Sequence, residues 1–136
     1  MVGESAFFNR ATPFVRWIEG FEPYRNEMVF ERASPSCYSC ERFAALVNHS
    51  GGGIVLAGFA GEAACLSTLI DAFHRNHKVT YLYDASASHA LDDMPAAEVH
   101  RAISTISGIY AEVCEAAAWI AATRPRKLGN GKSAGG

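Results

Sequence analysis

The stretch from Gly51 to Ala72, GGGIVLAGFAGEAACLSTLIDA, decides the fold. Ile54-Val55-Leu56-Ala57 is an unbroken apolar run bounded by glycines, the pattern of a buried strand in a parallel sheet. It ends in a turn of small residues, Gly58-Phe59-Ala60-Gly61, and Glu62 opens a helical pattern at once. Leu66, Leu69, Ile70 and Phe73 then recur at helical spacing, an amphipathic stripe that predicts a helix to about Arg75. The turn delivers Cys65 to the first helical turn, where unpaired backbone N–H groups and the helix dipole favour an anion. A thiol so placed is a candidate nucleophile, with an accessible thiolate and a lowered pKa. The competing reading is that a cysteine on an Ala/Leu-rich helix is a small buried hydrophobe.

Outward from this core, the elements alternate. Upstream, Glu27–Glu31 (EMVFE) reads as a short strand centred on Val29 and Phe30. Arg32–Ser36 is a turn containing Pro35, and Glu41–Val47 has helical spacing with Ser39 as N-cap. Downstream, Lys78–Asp84 alternates as a strand, and Ala85–Met94 is a polar loop. One helix is expected from Pro95 to Thr123, on the stepping of Val99, Ile103, Ile106, Tyr110, Val113, Ala117 and Ile120. Asp92 or Asp93 is its expected cap, and Gly108 marks a bend in it. This order predicts an α/β domain with a parallel sheet and flanking helices, the Ile54–Gly58 strand lying centrally between strands near Val29 and Val79. Sites in such sheets lie at the carboxyl ends of strands. That selects the loops Arg32–Tyr38, Gly58–Cys65 and Asp84–His89.

The flanks differ from the domain at 27–123. Residues 1–26 form an aromatic segment with Phe7, Phe8, Phe14, Trp17 and Ile18, interrupted by Pro13, and a short helix is expected around Phe14–Glu19. An aromatic segment with no defined element points to packing on something else, a missing part of the chain or a second subunit, so a homo-oligomer, or poor solubility as a monomer, is expected. Residues 124–136 are polar and glycine-rich and are expected to be a disordered tail.

Composition narrows the function classes. A chain of 136 residues makes one domain with a real core. Its net charge of -2 gives no electrostatic case for nucleic acid. No apolar run reaches the roughly 20 residues of a membrane span, and the N-terminus lacks the order of a secretory signal. Four cysteines do not make a disulfide scaffold at this length, so a cytoplasmic, reducing setting is the expectation. Cys37-Tyr38-Ser39-Cys40 is a C-x-x-C after a strand and before a helix, a thioredoxin-like placement. The preceding Pro35 and the atypical intervening residues count against redox use, and there is no second C-x-x-C for a zinc site. His74 and His77 at a helix end read as solvated cations rather than metal ligands. The glycines at 51–53 precede the strand, so they are not a phosphate loop. No cofactor and no metal are expected.

Four ordered segments resemble the isochorismatase-like cysteine hydrolases. Gly58-Phe59-Ala60-Gly61-Glu62-Ala63-Ala64-Cys65 with Thr68 and Asp71-Ala72 resembles the family's nucleophile segment. Glu27–Arg32 with Ser36 and Tyr38 resembles its lysine strand, Val79–Ser88 (VTYLYDASAS) the strand ending in Asp-Ala-x-x-Ser, and Glu98-Val99-His100 with Ala102 the start of its last helix. The resemblance covers roughly Glu27–Thr123. It implies a Rossmann-like three-layer α/β fold and hydrolysis of a small-molecule amide, or a related C–N or ether bond, through a covalent thiol intermediate. On that reading Cys65 is the nucleophile, the backbone N–H groups of Ala64 and Cys65 form the oxyanion hole, and Arg32 stabilises negative charge. Glu31 is the nearest carboxylate in sequence. Tyr38, Phe59, Ala60, Gly61 and Glu62 line the substrate pocket. The departures are specific. Strict spacing gives the nucleophile's place to Ala64, one residue before Cys65, so either the turn holds one extra residue or the thiol is not the nucleophile. Arginine replaces the lysine and cannot shuttle protons as lysine can. Residues 1–26 contain no aspartate, so the resemblance implies a domain lacking its N-terminal third. The alternative reading is a catalytically inactive relative that serves as a binding or assembly module.

Overall fold

The chain divides into two compact units, Met1–Phe30 and Glu31–Gly136, and the structure, a computed structural model, describes residues 17–125. Phe7, Phe8, Phe14 and the expected tail after Pro125 lie outside the described residues, as does the start of the helix expected near Phe14–Glu19. Its described part forms a turn instead, with Phe21 N–H donating to Ile18 O at 2.9 Å. A second turn follows, in which Glu27 N–H donates to Tyr24 O at 3.0 Å and the Glu27 carboxylate accepts from Tyr24 N–H at 2.8 Å.

The second unit holds the fold. In chain order its elements are α1 (Glu41–His49), β1 (Gly53–Gly58), α2 (Leu66–His74), β2 (Lys78–Ser86), α3 (Ala96–Ser107), β3 (Glu112–Cys114) and α4 (Ala116–Thr123). The three strands form one parallel sheet in the order β1-β2-β3. β1 pairs with β2 in the register Ile54 to Val79 and Leu56 to Tyr81. Helices cross between successive strands, as parallel neighbours require.

Three expectations are corrected here. EMVFE forms no strand, and Met28 and Val29 are exposed. Strand preference reflects packing on a pleated surface more than an intrinsic backbone bias, and this segment takes no place in the described sheet. β2, not β1, is therefore the central strand among the described residues. The long helix from Pro95 also divides. α3 ends at Ser107 with Gly108 as its C-cap, and Tyr110 and Ala111 N–H both bond Ser107 O. Glu112–Cys114 then pair with Thr80–Leu82 as β3 before α4 begins. Apolar residues three and four apart match a helix here, but the ladder on β2 outweighs that pattern once Gly108 breaks the chain's course.

The core lies between the sheet and α1–α2. Leu69, Ala72 and Tyr81 are fully buried, with Tyr38, Ala44, Cys65 and Val79 packed beside them. Thr68 is the polar member, its hydroxyl donating to Ala64 O at 2.7 Å and accepting from Cys37 N–H at 3.0 Å. The hydroxyl thereby ties Cys37, in the segment before α1, to the turn that leads into α2. Ser39 does not cap α1. Its hydroxyl donates to Ser36 O at 2.8 Å, and Cys40 holds the cap position without a side-chain bond. The expected aspartate caps of α3 are likewise not made; Pro95 holds that position.

Candidate active site

β1 runs into the site at Gly58, where the register with β2 shifts from Leu56–Tyr81 to Gly58–Ser86. Gly58 has φ +121, a conformation that a side chain would strain. The Phe59–Ala60 peptide is cis. The chain then enters a π-helical turn, Gly61–Cys65, before α2.

Two of the three loops selected by the sequence meet here. Gly61 N–H donates to Ala87 O at 2.8 Å, Ala87 N–H to Gly58 O at 3.3 Å, and Gly58 N–H to Ser86 Oγ at 3.1 Å. At the rim, the Glu62 carboxylate takes His89 N–H at 3.2 Å and the His89 ring Nδ1 at 2.7 Å. Burial alone would raise the Glu62 pKa. The hydrogen bonds from its own backbone N–H and from His89 outweigh that and hold the carboxyl below its ordinary value. The approach of the two loops is close. A Cβ at Gly61 would stand 2.5 Å from Ser88 Oγ and 3.4 Å from Ala87 O.

Behind the loops sits a histidine. His100 Nε2 lies 2.8 Å from Tyr83 O, an acceptor, so this nitrogen carries the proton and Nδ1 accepts. Ser88 Oγ lies 3.4 Å from that Nδ1 and donates to it. Ser88, His89 and His100 were missed as site residues, although the Asp-Ala-x-x-Ser segment had marked the first by position. Tyr81 is a further surprise. It is fully buried, and among the described residues its hydroxyl makes no hydrogen bond of full geometry, although the Ser86 hydroxyl acts on it as a weak hydrogen-bonding neighbour. The nearby Ser86 hydroxyl is already engaged, donating to Leu82 O and accepting from Gly58 N–H.

Cys65 lies beneath this rim, not on it. It is 2% exposed, in the cluster formed with Leu69, Ala72 and Tyr81. Its Sγ donates to Gly58 O at 3.6 Å. Burial pushes the thiol up to about 11, with smaller upward contributions from Cys37 and Glu62 and a downward one from Arg32. The expected accessible, low-pKa thiolate is thus replaced by its opposite, because the π-helical turn directs Cys65 to the sheet. Its N–H donates to Ala60 O at 3.0 Å. Ala64 is half-exposed, on the turn's other side.

The remaining sequence candidates are placed as follows. Phe59 is 67% exposed at the rim, with Ala60 half-buried and Gly61 buried beside it. The Arg32 guanidinium donates to Ser34 O at 3.0 Å and also to Pro35 O, and Glu31 precedes it on the same exposed segment. Tyr38 is buried against α2, but its hydroxyl points to His77, just before β2 begins, at the opposite end of the sheet from Glu62. His77 is half-buried rather than free in solvent. It bridges Tyr38 and Asn48 Oδ1. Asp84 Oδ1 accepts Ala116 N–H at 2.8 Å and so caps α4.

A parallel α/β sheet whose facing loops meet at the carboxyl ends of its strands defines the class: a Rossmann-like domain, in which ligand sites generally lie at that end. A profile of the isochorismatase domain matches residues 2–118. The chain belongs to the isochorismatase family, a family of hydrolases. Solved structures agree. A cysteine hydrolase from Pseudomonas syringae pv. phaseolicola 1448A is 27% identical with a TM-score of 0.74, over 82% of this chain and 56% of that one. An isochorismatase from Pseudomonas putida KT2440 is 24% identical with a TM-score of 0.72, over 79% and 58%. An isochorismatase-like hydrolase from Alkaliphilus metalliredigens is 22% identical with a TM-score of 0.71, over 84% and 60%. The last two carry the fold alone. The chain spans 56% to 60% of the length of these three proteins. No curated protein matches the chain. Among the described residues no helix is long and apolar enough to cross a membrane.

Proposed function

We propose that this chain is a small-molecule-binding member of the isochorismatase family in which Cys65 is a core residue, not the nucleophile. One observation carries this reading: the thiol is 2% exposed and its pKa is pushed up to about 11. At neutral pH only about one such thiol in ten thousand is ionised, and the thiolate is the attacking species. Ala64, which holds the nucleophile's place under strict spacing with no extra residue counted in the turn, carries only a methyl group. The ligand would sit on Phe59, Ala60, Gly61 and Glu62, against the Ser88–His89 loop. The Glu62 carboxylate and the His89 ring would recognise polar groups, and Phe59 an apolar face. A cytoplasmic setting fits four unbridged cysteines, and we propose a homo-oligomer as the assembled form.

The second reading is the hydrolase. Family membership favours it, as does the position of Cys65 in the turn after β1. Cys65 would attack an amide carbonyl and form a thioester, with Ala64 and Cys65 N–H at the oxyanion and Arg32 countering its charge. Glu31 would serve as the carboxylate of that site. This reading requires the turn to rearrange, because Cys65 N–H now bonds Ala60 O. Turnover of a panel of small carboxamides by wild type and Cys65→Ser separates the two. Hydrolysis abolished by Cys65→Ser supports the enzyme. Ligand-dependent thermal stabilisation that survives Cys65→Ser, without turnover, supports the binding module.

A further inference from the structure

Cys37-Tyr38-Ser39-Cys40 takes no part in the site above, and its geometry has its own chemistry. Cys37–Ser39 is a 3-10 turn in which Cys40 N–H donates to Cys37 O at 3.1 Å. A turn closed this way keeps its first and fourth Cα atoms within about 7 Å, and a disulfide spans roughly 4.4 to 6.8 Å. Cys40 closes the turn as its extended C-cap, φ -91 and ψ 111, so the two cysteines stand at its two ends, joined by its closing hydrogen bond. Both residues are half-exposed and unbridged.

The turn is also pinned. Ser36 Oγ accepts Tyr38 N–H at 3.2 Å, and Ser39 Oγ donates to Ser36 O at 2.8 Å. Cys37 N–H is held by Thr68 Oγ1 at 3.0 Å, on a side chain with no exposed surface. Tyr38 Oη is fixed at 2.7 Å from His77 Nδ1. A backbone so fixed presents one sulfur to the other at high effective concentration. Pro35 precedes the turn and takes no part in its closing bond, so it does not oppose the bridge.

We propose that Cys37 and Cys40 form a redox-active dithiol that closes reversibly to an intramolecular disulfide by exchange with a low-molecular-weight disulfide of the glutathione class. One thiolate attacks the small disulfide, forms a mixed disulfide and releases one small thiol. The second thiolate attacks the protein sulfur of that mixed disulfide and releases the other small thiol. Two protein thiols and one small disulfide become one protein disulfide and two small thiols. Two electrons pass to the small disulfide, and the two protein-thiol protons end on the released thiols. The exchange requires no chemistry at Cys65, although Cys37 is close enough to add to the upward shift of the Cys65 thiol.

Glutathione redox buffers test this on the full-length protein. Trypsin cuts after Arg32 and Arg42 and isolates Ala33–Arg42, which holds both cysteines. After acid quenching, oxidised samples should yield this peptide lighter by two hydrogens, inert to alkylation and free of glutathione, and reduced glutathione should restore the dithiol. Cys37→Ser and Cys40→Ser should each trap glutathione on the remaining cysteine, which wild type does not retain. The proposal is overturned if the wild-type peptide carries glutathione instead of an internal bridge. It is equally overturned if the folded protein stays a dithiol where the urea-unfolded chain is oxidised.

Discussion

His77 Nδ1 accepts the Tyr38 hydroxyl at 2.7 Å, while His77 Nε2 donates to Asn48 Oδ1 at 2.7 Å. This chain joins the turn before α1, the end of α1 and the entry to β2, and it lies at the amino-terminal end of the sheet. Burial raises the Tyr38 pKa, and the Arg75 guanidinium stacked 4.7 Å over its ring opposes that in part. Tyr38→Phe should cost about 1 to 2 kcal/mol of stability, because it leaves His77 Nδ1 without its donor. Urea unfolding reads this directly. Ligand binding at the Glu62 rim should be unchanged in the same variant; weakened binding would return Tyr38 to the pocket.

Glu62 makes the fold sensitive to acid. Its carboxyl pKa is lowered in the folded state by hydrogen bonds from its own N–H and from His89, which overcome burial. A depressed folded pKa contributes stability that is present above the unfolded value and is lost as pH falls through the folded one. Stability of the wild type should therefore decline as acid titrates Glu62, and Glu62→Gln should flatten that part of the profile. Equal slopes in the two proteins would sever Glu62 from the pH dependence.

Tyr81 carries a cost that a single atom removes. Among the described residues its buried hydroxyl meets only the Ser86 hydroxyl, short of full hydrogen-bond geometry, and an unsatisfied buried polar group costs about 1 to 3 kcal/mol. Tyr81→Phe should leave the fold unchanged and raise the thermal midpoint. A fall in midpoint would mean that a water or ligand satisfies the hydroxyl in solution.

Gly61 is where the two site loops touch. Gly61→Ala places a methyl 2.5 Å from Ser88 Oγ, so either the serine or the Ala87 backbone must shift. We expect a loss of about 1 to 3 kcal/mol, the range for overpacking, and relief when Gly61→Ala is combined with Ser88→Gly. Additive losses in the double variant would show that the two residues do not compete for space.

Much of this was legible in the chain. The run Ile54–Ala57 between glycines specified β1 as a parallel strand but not its burial. At the edge of the described sheet it alternates half-buried Ile54 and Leu56 with exposed Val55 and Ala57. Alternation through Val79, Tyr81 and Tyr83, by contrast, specified β2, whose Val79 and Tyr81 are buried. Lys78 to Leu82 thus anchors the register on both sides. β3 was hidden, since Glu112-Val113-Cys114 continues a helical spacing and only the pairing with β2 reveals it. EMVFE misled for the converse reason: Val29 and Phe30 have the composition of a strand but enter no described ladder. At the site, the meeting of the Gly58–Cys65 and Asp84–His89 loops followed from the strand order. The facing of Cys65 did not. The one-residue excess between Gly58 and Cys65 is the signal of an extra residue in the turn, which the π-helical turn accommodates, but the spacing does not say that the thiol is buried beside Tyr81 and Leu69.

The direction of the Cys65 thiol is the centre of the account, and alkylation of the native protein measures it. With iodoacetamide at neutral pH, mapped by peptide, Cys65 should stay unlabelled while folded and react once the chain is unfolded. An Ala64→Cys variant should be labelled at position 64 in the folded state, since that side of the turn is half-exposed. Labelling of wild-type Cys65 in the native state as fast as Cys37 or Cys40 would contradict the account and restore the thiol to the role of nucleophile.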